Sequence, residues 1–308
     1  MKQFINNAHV EGYVFSHSLQ ARVTGDQSKN PGTPFIQGIL NVATDDKGMN
    51  VVPVSFTYVT EYYSRSGKEN ATYKVLQQII NGQQNTYEQV GTSALKVRID
   101  GDVEINDFLG RDGNMVAAKR IRGSFCHIVN DVNFGATFET DMLIADASMQ
   151  EVEDGNDYMN VRGYAFNFRG DLLPVTYTID NPEGIKYFEN CDISNSNPLL
   201  TRVWGNIVST TIETKNEVES AFGGPQVNIT TRTLRSWKID GCAADPYEFD
   251  DESTLTRDEL RTKLAEREER VAAEKQRAED YQASRNNGGN AFAASSKPVD
   301  VNSSDFKF

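Results

Sequence analysis

From residue 1 to about residue 245, apolar and polar residues alternate with period two through many short stretches rich in Val, Ile, Thr, Phe and Tyr. Gly, Asn and Asp punctuate them. Alternation of that period turns one face of each stretch inward and the other outward, so this part of the chain reads as all-β with little helix. The order of the stretches then repeats. In the first half a long strand, His9–Val23, precedes a hairpin formed by Phe35–Leu40 and Val51–Tyr58. Lys68–Asn81 follows, with Val75, Leu76, Ile79 and Ile80 on one helical face and Gly82 as its stop. Ala94–Phe108 and Met115–Asn130 complete the set. The second half runs Thr137–Gln150, then Met159–Phe166 with Leu172–Ile179, a short helical turn at Pro182–Glu189, and the pair Leu199–Thr214 and Gln226–Ile239. Between the two hairpins Gly38 echoes Gly163, and Pro53-Val54-Ser55-Phe56 echoes Pro174-Val175-Thr176-Tyr177.

Three strands, a helix and two strands is the order of the OB-fold, a small five-stranded Greek-key barrel. The sequence therefore predicts two tandem OB modules, at 1–133 and 134–250, followed by a charged helix at 251–285 and a disordered tail at 286–308. The helix is announced by Thr256-Arg257-Asp258-Glu259, a capping box, and by the absence of Gly and Pro from Leu255 to Ser284. Leu264, Val271 and Ala278 recur every seven residues, but Arg267 and Glu274 interrupt the companion row, so a lone solvated helix and a weak coiled coil both fit. The Asn-Asn-Gly-Gly-Asn run from Asn286 onward has the composition of a linker.

Composition narrows the function. The formal net charge is −13, from 31 Lys and Arg against 44 Asp and Glu, which argues against coating duplex nucleic acid but leaves room for a local basic groove. Residues 246–308 hold 14 acids and 10 bases, so the acidity is spread along the chain and not confined to its end. No apolar run reaches the roughly 18–20 residues of a membrane helix, and the start lacks a secretory stretch, so the expected location is the cytoplasm. Cys126, Cys191 and Cys242 are odd in number and widely spaced, which reads as free thiols and gives no support to a disulfide framework or a zinc site. Walker, HExxH and GxSxG motifs are absent, and His9, His17 and His127 are isolated from one another. No catalysis, metal or cofactor is expected.

Binding is the better-supported reading. If Val161, Gly163 and Ala165 face the barrel interior, Arg162, Tyr164, Phe166 and Phe168 lie together outside, followed by Arg169. Phe35 heads the corresponding hairpin of the first module. Aligning Gly101 with Gly205 places Lys96, Arg98 and Asp100 in register with Leu200, Arg202 and Trp204, all outward. Lys119, Arg120 and Arg122 on the fifth strand have counterparts among Arg232, Arg235 and Lys238. Cations interleaved with aromatics describe a groove for single strands, in which phosphates meet Lys and Arg while bases stack.

The stretch Val97-Arg98-Ile99-Asp100-Gly101-Asp102-Val103-Glu104-Ile105-Asn106-Asp107-Phe108, with Lys119-Arg120-Ile121-Arg122-Gly123, resembles the single-stranded DNA-binding proteins of bacteriophages. The resemblance implies single-stranded DNA as partner, in phage DNA replication or recombination, in the host cytoplasm. Replication or recombination proteins recruited through the tail, and a homo-oligomer, are further partners it admits. Bacterial relatives of that function end in an acidic tail with a terminal Phe; here Asp305-Phe306-Lys307-Phe308 keeps the aromatic end and departs at Lys307. Two alternatives stand beside this reading. One is a phage structural or assembly protein that packs through the aromatic face, and the other is a carbohydrate-binding module.

Overall fold

The computed structural model describes residues 3–64, 66–82, 86–151, 157–218 and 226–287; for 210–218, 226–234 and 284–287 it describes the backbone alone. The first half contains β1 (Asn6–His17), β2 (Gln20–Val23), β3 (Pro34–Ala43), β4 (Val51–Thr60), α1 (Ala71–Ile80), α2 (Tyr87–Val90), β5 (Lys96–Leu109) and β6 (Met115–Ile128). The second contains β7 (Gly135–Gln150), β8 (Tyr158–Phe166), β9 (Leu172–Ile179), α3 (Pro182–Glu189), β10 (Leu199–Val218) and β11 (Gln226–Cys242), and α4 (Arg257–Asn287) ends the described chain.

Hydrogen bonding closes each half on itself. β1 pairs antiparallel with β3, β3 with β4, β4 parallel with β6, β6 antiparallel with β5, and β5 returns to β1. The second half repeats the circuit through β7, β8, β9, β11 and β10. That closure order, with a helix between the third and fourth strands, makes each half an OB barrel. α1 starts at Asn70, whose side chain accepts from the Thr72 amide, and it buries Tyr73, Leu76 and Ile79 against the barrel. α3 starts at Asn181 with Pro182 in its first turn and buries Phe188.

β1 also pairs antiparallel with β7, which joins the barrels into one continuous sheet. Both strands carry a bulge, after Val14 and after Ile144, 130 positions apart. On that equivalence Ala8 corresponds to Phe138, and Ala8 pairs with Phe138. The two halves are thus related by a pseudo-twofold axis at this pair, and one apolar core runs through both.

The same register corrects the echo in the hairpins. β1 opposes Val42 to Val14, and β7 opposes Gly163 to Ile144, so Gly163 corresponds to Val42 and not to Gly38. Pro53 likewise corresponds to Thr176 and not to Pro174. The alignment of Gly101 with Gly205 does match the register, since they face Ala8 and Phe138 and both follow a bulge. A Cβ at Gly101 would lie 2.0 Å from the Arg122 carbonyl oxygen, and one at Gly205 would lie 1.8 Å from that of Lys238. No side chain fits so close to backbone, so both bulges require glycine.

The C-terminal segment is not a separate solvated helix. Thr256 and Glu259 form the capping box, the Thr256 amide donating to the Glu259 carboxylate at 2.9 Å. Leu255, Leu260 and Leu264, with Tyr247 and Phe249, then build a second small core against Leu143, Phe166, Leu172 and Leu200 of the second barrel. Farther along, Arg267 meets Asp107 of β5 at 2.8 Å and Arg270 meets Asp171 at 3.4 Å, so α4 touches both barrels. No helix among the described residues is long and apolar enough to cross a membrane. The tail expected to be disordered, at 286–308, falls outside the described residues from 288 onward.

Candidate nucleic-acid interface

The outer face of the second and third barrel strands is where OB-folds receive oligonucleotides. In the first barrel that face belongs to β3 and β4, widened by β2. Inward residues Ile36, Leu40, Val54 and Phe56 are buried, alternation turns Phe35, Gln37, Ile39, Asn41, Pro53 and Ser55 outward, and the register shift between Phe56 and Val59 turns Tyr58 outward with them. β2, β3 and β4 contain no carboxylate at all, and their one cation, Arg22, stands opposite Phe35. Phe35 and Tyr58 lie with ring centroids 4.9 Å apart, and Tyr58 is 50% exposed. A neutral aromatic floor with a cation at its edge suits stacked bases, because nothing on it repels phosphate.

The equivalent face of the second barrel is covered. The expected parity holds, since Val161 and Ala165 lie in the barrel core while Tyr164 and Phe166 lie outside it. Outside is not exposed, however. Phe166 has no exposure, because Phe4 stacks on it at 4.0 Å between centroids and the α4 segment closes over it. Tyr164 is half-buried beside Pro174, with Leu264 and Val271 of α4 around the same hollow. These two residues therefore do not form the open ladder expected from the sequence. Phe168, 64% exposed, sits in the β8–β9 turn with the Arg169 guanidinium 5.2 Å from its ring. Arg162 is exposed but faces Asp146 at 3.5 Å.

Arg120, Arg122 and Arg202 are neutralised across the sheet. Arg120 meets Glu104 at 2.6 Å and Arg122 meets Asp102 at 3.0 Å, a cross-strand ladder on β5 and β6. Arg202 donates to Asp141, a carboxylate only 2% exposed that also accepts from the Ile5 amide and the Tyr247 hydroxyl. That hydrogen bond holds the Arg202 guanidinium above its ordinary pKa and commits it to structure. Trp204 is 41% exposed, but the groove beside it is lined by Asp100, Glu139 and Asp240 with no Lys or Arg. Such a groove repels phosphate. Lys96 donates to the Asn130 carbonyl, and Arg98 is exposed across from Glu11. The side chain of Arg232 lies outside the described residues.

With Arg120 and Arg235 on the same cleft, Lys119 lies next to the open face. The β5–β6 hairpin carries it across to the second barrel, where its ammonium donates to the Thr176 carbonyl and sits 4.5 Å from the Tyr177 ring centroid and 4.8 Å from that of Trp237. Burial pushes its pKa down to about 7. By the register its counterpart is Arg235, on the β10–β11 hairpin that reaches back over the first barrel. The Ser209 amide of that hairpin donates to the Asn50 side chain. A cleft of about 410 Å³ separates the hairpins from the first barrel, lined by Ile39, Asn41, Pro53 and Ser55 on one side and by Lys119, Arg120, Arg235 and Trp237 on the other. Tyr58, Arg22 and Trp237 carry no sequence motif; only the exclusion of acids from β2–β4 could have singled out this face.

Residues 5–277 match the YorF family, a span that runs from the start of β1 through both barrels and most of α4. The chain belongs to the YorF family. No curated protein matches the chain. Among solved structures it is similar to the wild-type single-stranded DNA binding protein from Thermus aquaticus, at 10% identity and a TM-score of 0.48, covering 80% of this chain and 95% of that one. A deletion mutant of the same Thermus aquaticus protein gives 10% identity and a TM-score of 0.48, over 81% and 98% of the two chains.

Proposed function

We propose that the chain binds single-stranded DNA, without catalysing a reaction, on the outer face of β2, β3 and β4. The observation that carries this reading is an OB barrel whose second- and third-strand face is open, aromatic and free of carboxylates, in a chain of net charge −13. We divide the chain into barrel units at 1–133 and 134–250, with the second unit and α4 serving mainly to frame the first. Phage DNA replication or recombination is the setting we assign, on the resemblance of Val97–Phe108 and Lys119–Gly123.

Anisotropy titrations with oligo-dT at two salt concentrations test the proposal. Phe35→Ala or Tyr58→Ala is expected to cost about 1–3 kcal/mol of binding while the salt dependence stays as it was, because stacking releases no counterions. Arg22→Ala is expected to make the slope of log affinity against log salt shallower by roughly 0.7, the value for one phosphate contact on a single strand. Full affinity in the Phe35→Ala, Tyr58→Ala double variant would remove this face from the interface.

A further inference from the structure

The open face does not end at Ile39. It continues under the β10–β11 hairpin into the cleft between the barrels, where Ile39, Asn41, Pro53 and Ser55 still form the floor. Three cations gather on the opposite wall. Arg120 is engaged by Glu104, whereas Arg235 is exposed with no anionic partner among the described residues. Among the described residues Lys119 has a carbonyl and two ring faces for partners. We infer that this cleft is a phosphate subsite, in which Lys119 and Arg235 hold a backbone phosphodiester of the strand whose bases lie on Phe35 and Tyr58. The inference rests on the proposed strand-binding face and adds a place and a pH dependence to it.

The geometry supports the assignment in two ways. Lys119 and Arg235 are counterparts under the pseudo-twofold relation, so the exchanged hairpins bring one cation from each barrel to the same cleft. No carboxylate is among the residues that line it. The charged and titratable groups around Lys119 are Arg120 and Arg235 in the cleft lining and the Tyr177 phenol from β9; Glu104 is taken up by Arg120, and β3 and β4 present none. Burial raises the Tyr177 phenol far above its usual range, so it stays neutral.

With its pKa lowered to about 7, Lys119 carries its charge below neutrality and loses it above, while a bound phosphate would hold the proton on. Affinity should therefore fall by about tenfold between pH 6 and pH 8, one proton being taken up on binding. The test is anisotropy with an oligo-dT that has hydroxyl ends, at constant ionic strength across that range. Lys119→Arg, charged throughout, should bind as the wild type does at pH 6 and lose the pH dependence. Arg235→Ala, a change at an exposed residue, should weaken binding several-fold at every pH and keep the profile. A flat wild-type profile with binding intact, or a profile unchanged in Lys119→Arg, overturns the phosphate subsite and leaves strand binding on the open face standing. No binding at any pH overturns both.

Discussion

A chain ending at Asp250 is expected to keep its β-type circular dichroism but to melt lower by on the order of 10 °C or more. Each barrel closes its own hydrogen-bond circuit before residue 243, so the strands do not depend on α4. The second small core does. Leu255 is 1% exposed, and with Leu260 and Leu264 it covers Leu143, Phe166, Leu172 and Leu200. Burying one such side chain fully contributes about 1.5–3 kcal/mol, so removing the segment costs roughly 5 kcal/mol. For a chain of this size each kcal/mol moves the melting temperature by roughly 2–4 °C. The truncation also removes the Arg267–Asp107 pair, of which the arginine is 11% exposed. Calorimetry of the two chains decides the matter. An unchanged melting temperature would mean that α4 contributes nothing to the fold and that Leu255, Leu260 and Leu264 do not pack on the second barrel.

Phe166→Ala is expected to destabilise the protein by about 3–5 kcal/mol while leaving DNA affinity, measured well below the melting transition, as it was. The side chain has no exposure, stacks on Phe4 and shares a small core with Leu255, Leu260 and Leu264, so its removal opens a cavity there. The sequence alone assigns the same residue to base stacking, for which the expected effect is the reverse: lost affinity at unchanged stability. Thermal melts and titrations on one preparation separate the two. A loss of affinity with an unchanged melting temperature would return Phe166 to the interface and require α4 to leave the second barrel when DNA binds.

What the sequence determined by itself is local. Period-two alternation settles which side of a strand faces the barrel, and that parity holds at Val161, Ala165, Tyr164 and Phe166 alike, because it depends only on the pleat of one strand. The order of strands and helix, with Gly101 and Gly205 at matched bulges, is likewise written along the chain, and it leads to two OB barrels. What only the tertiary structure decided is who meets an outward side chain. Phe166 is buried by Phe4 and by α4, segments about 160 and 90 positions away, and no periodicity within β8 reports on either. Arg120, Arg122 and Arg202 are neutralised because strand register sets them against Glu104, Asp102 and Asp141, a pairing that a shift of one residue would undo. The Gly38 and Pro53 echoes mislead for the same reason, since equivalence in a barrel is fixed by cross-strand pairing and not by likeness along the chain. On the face made by Phe35 and Tyr58 the β10–β11 hairpin comes over only the end at Ile39 and Pro53, and where that distant segment lands is a property of the packed molecule alone.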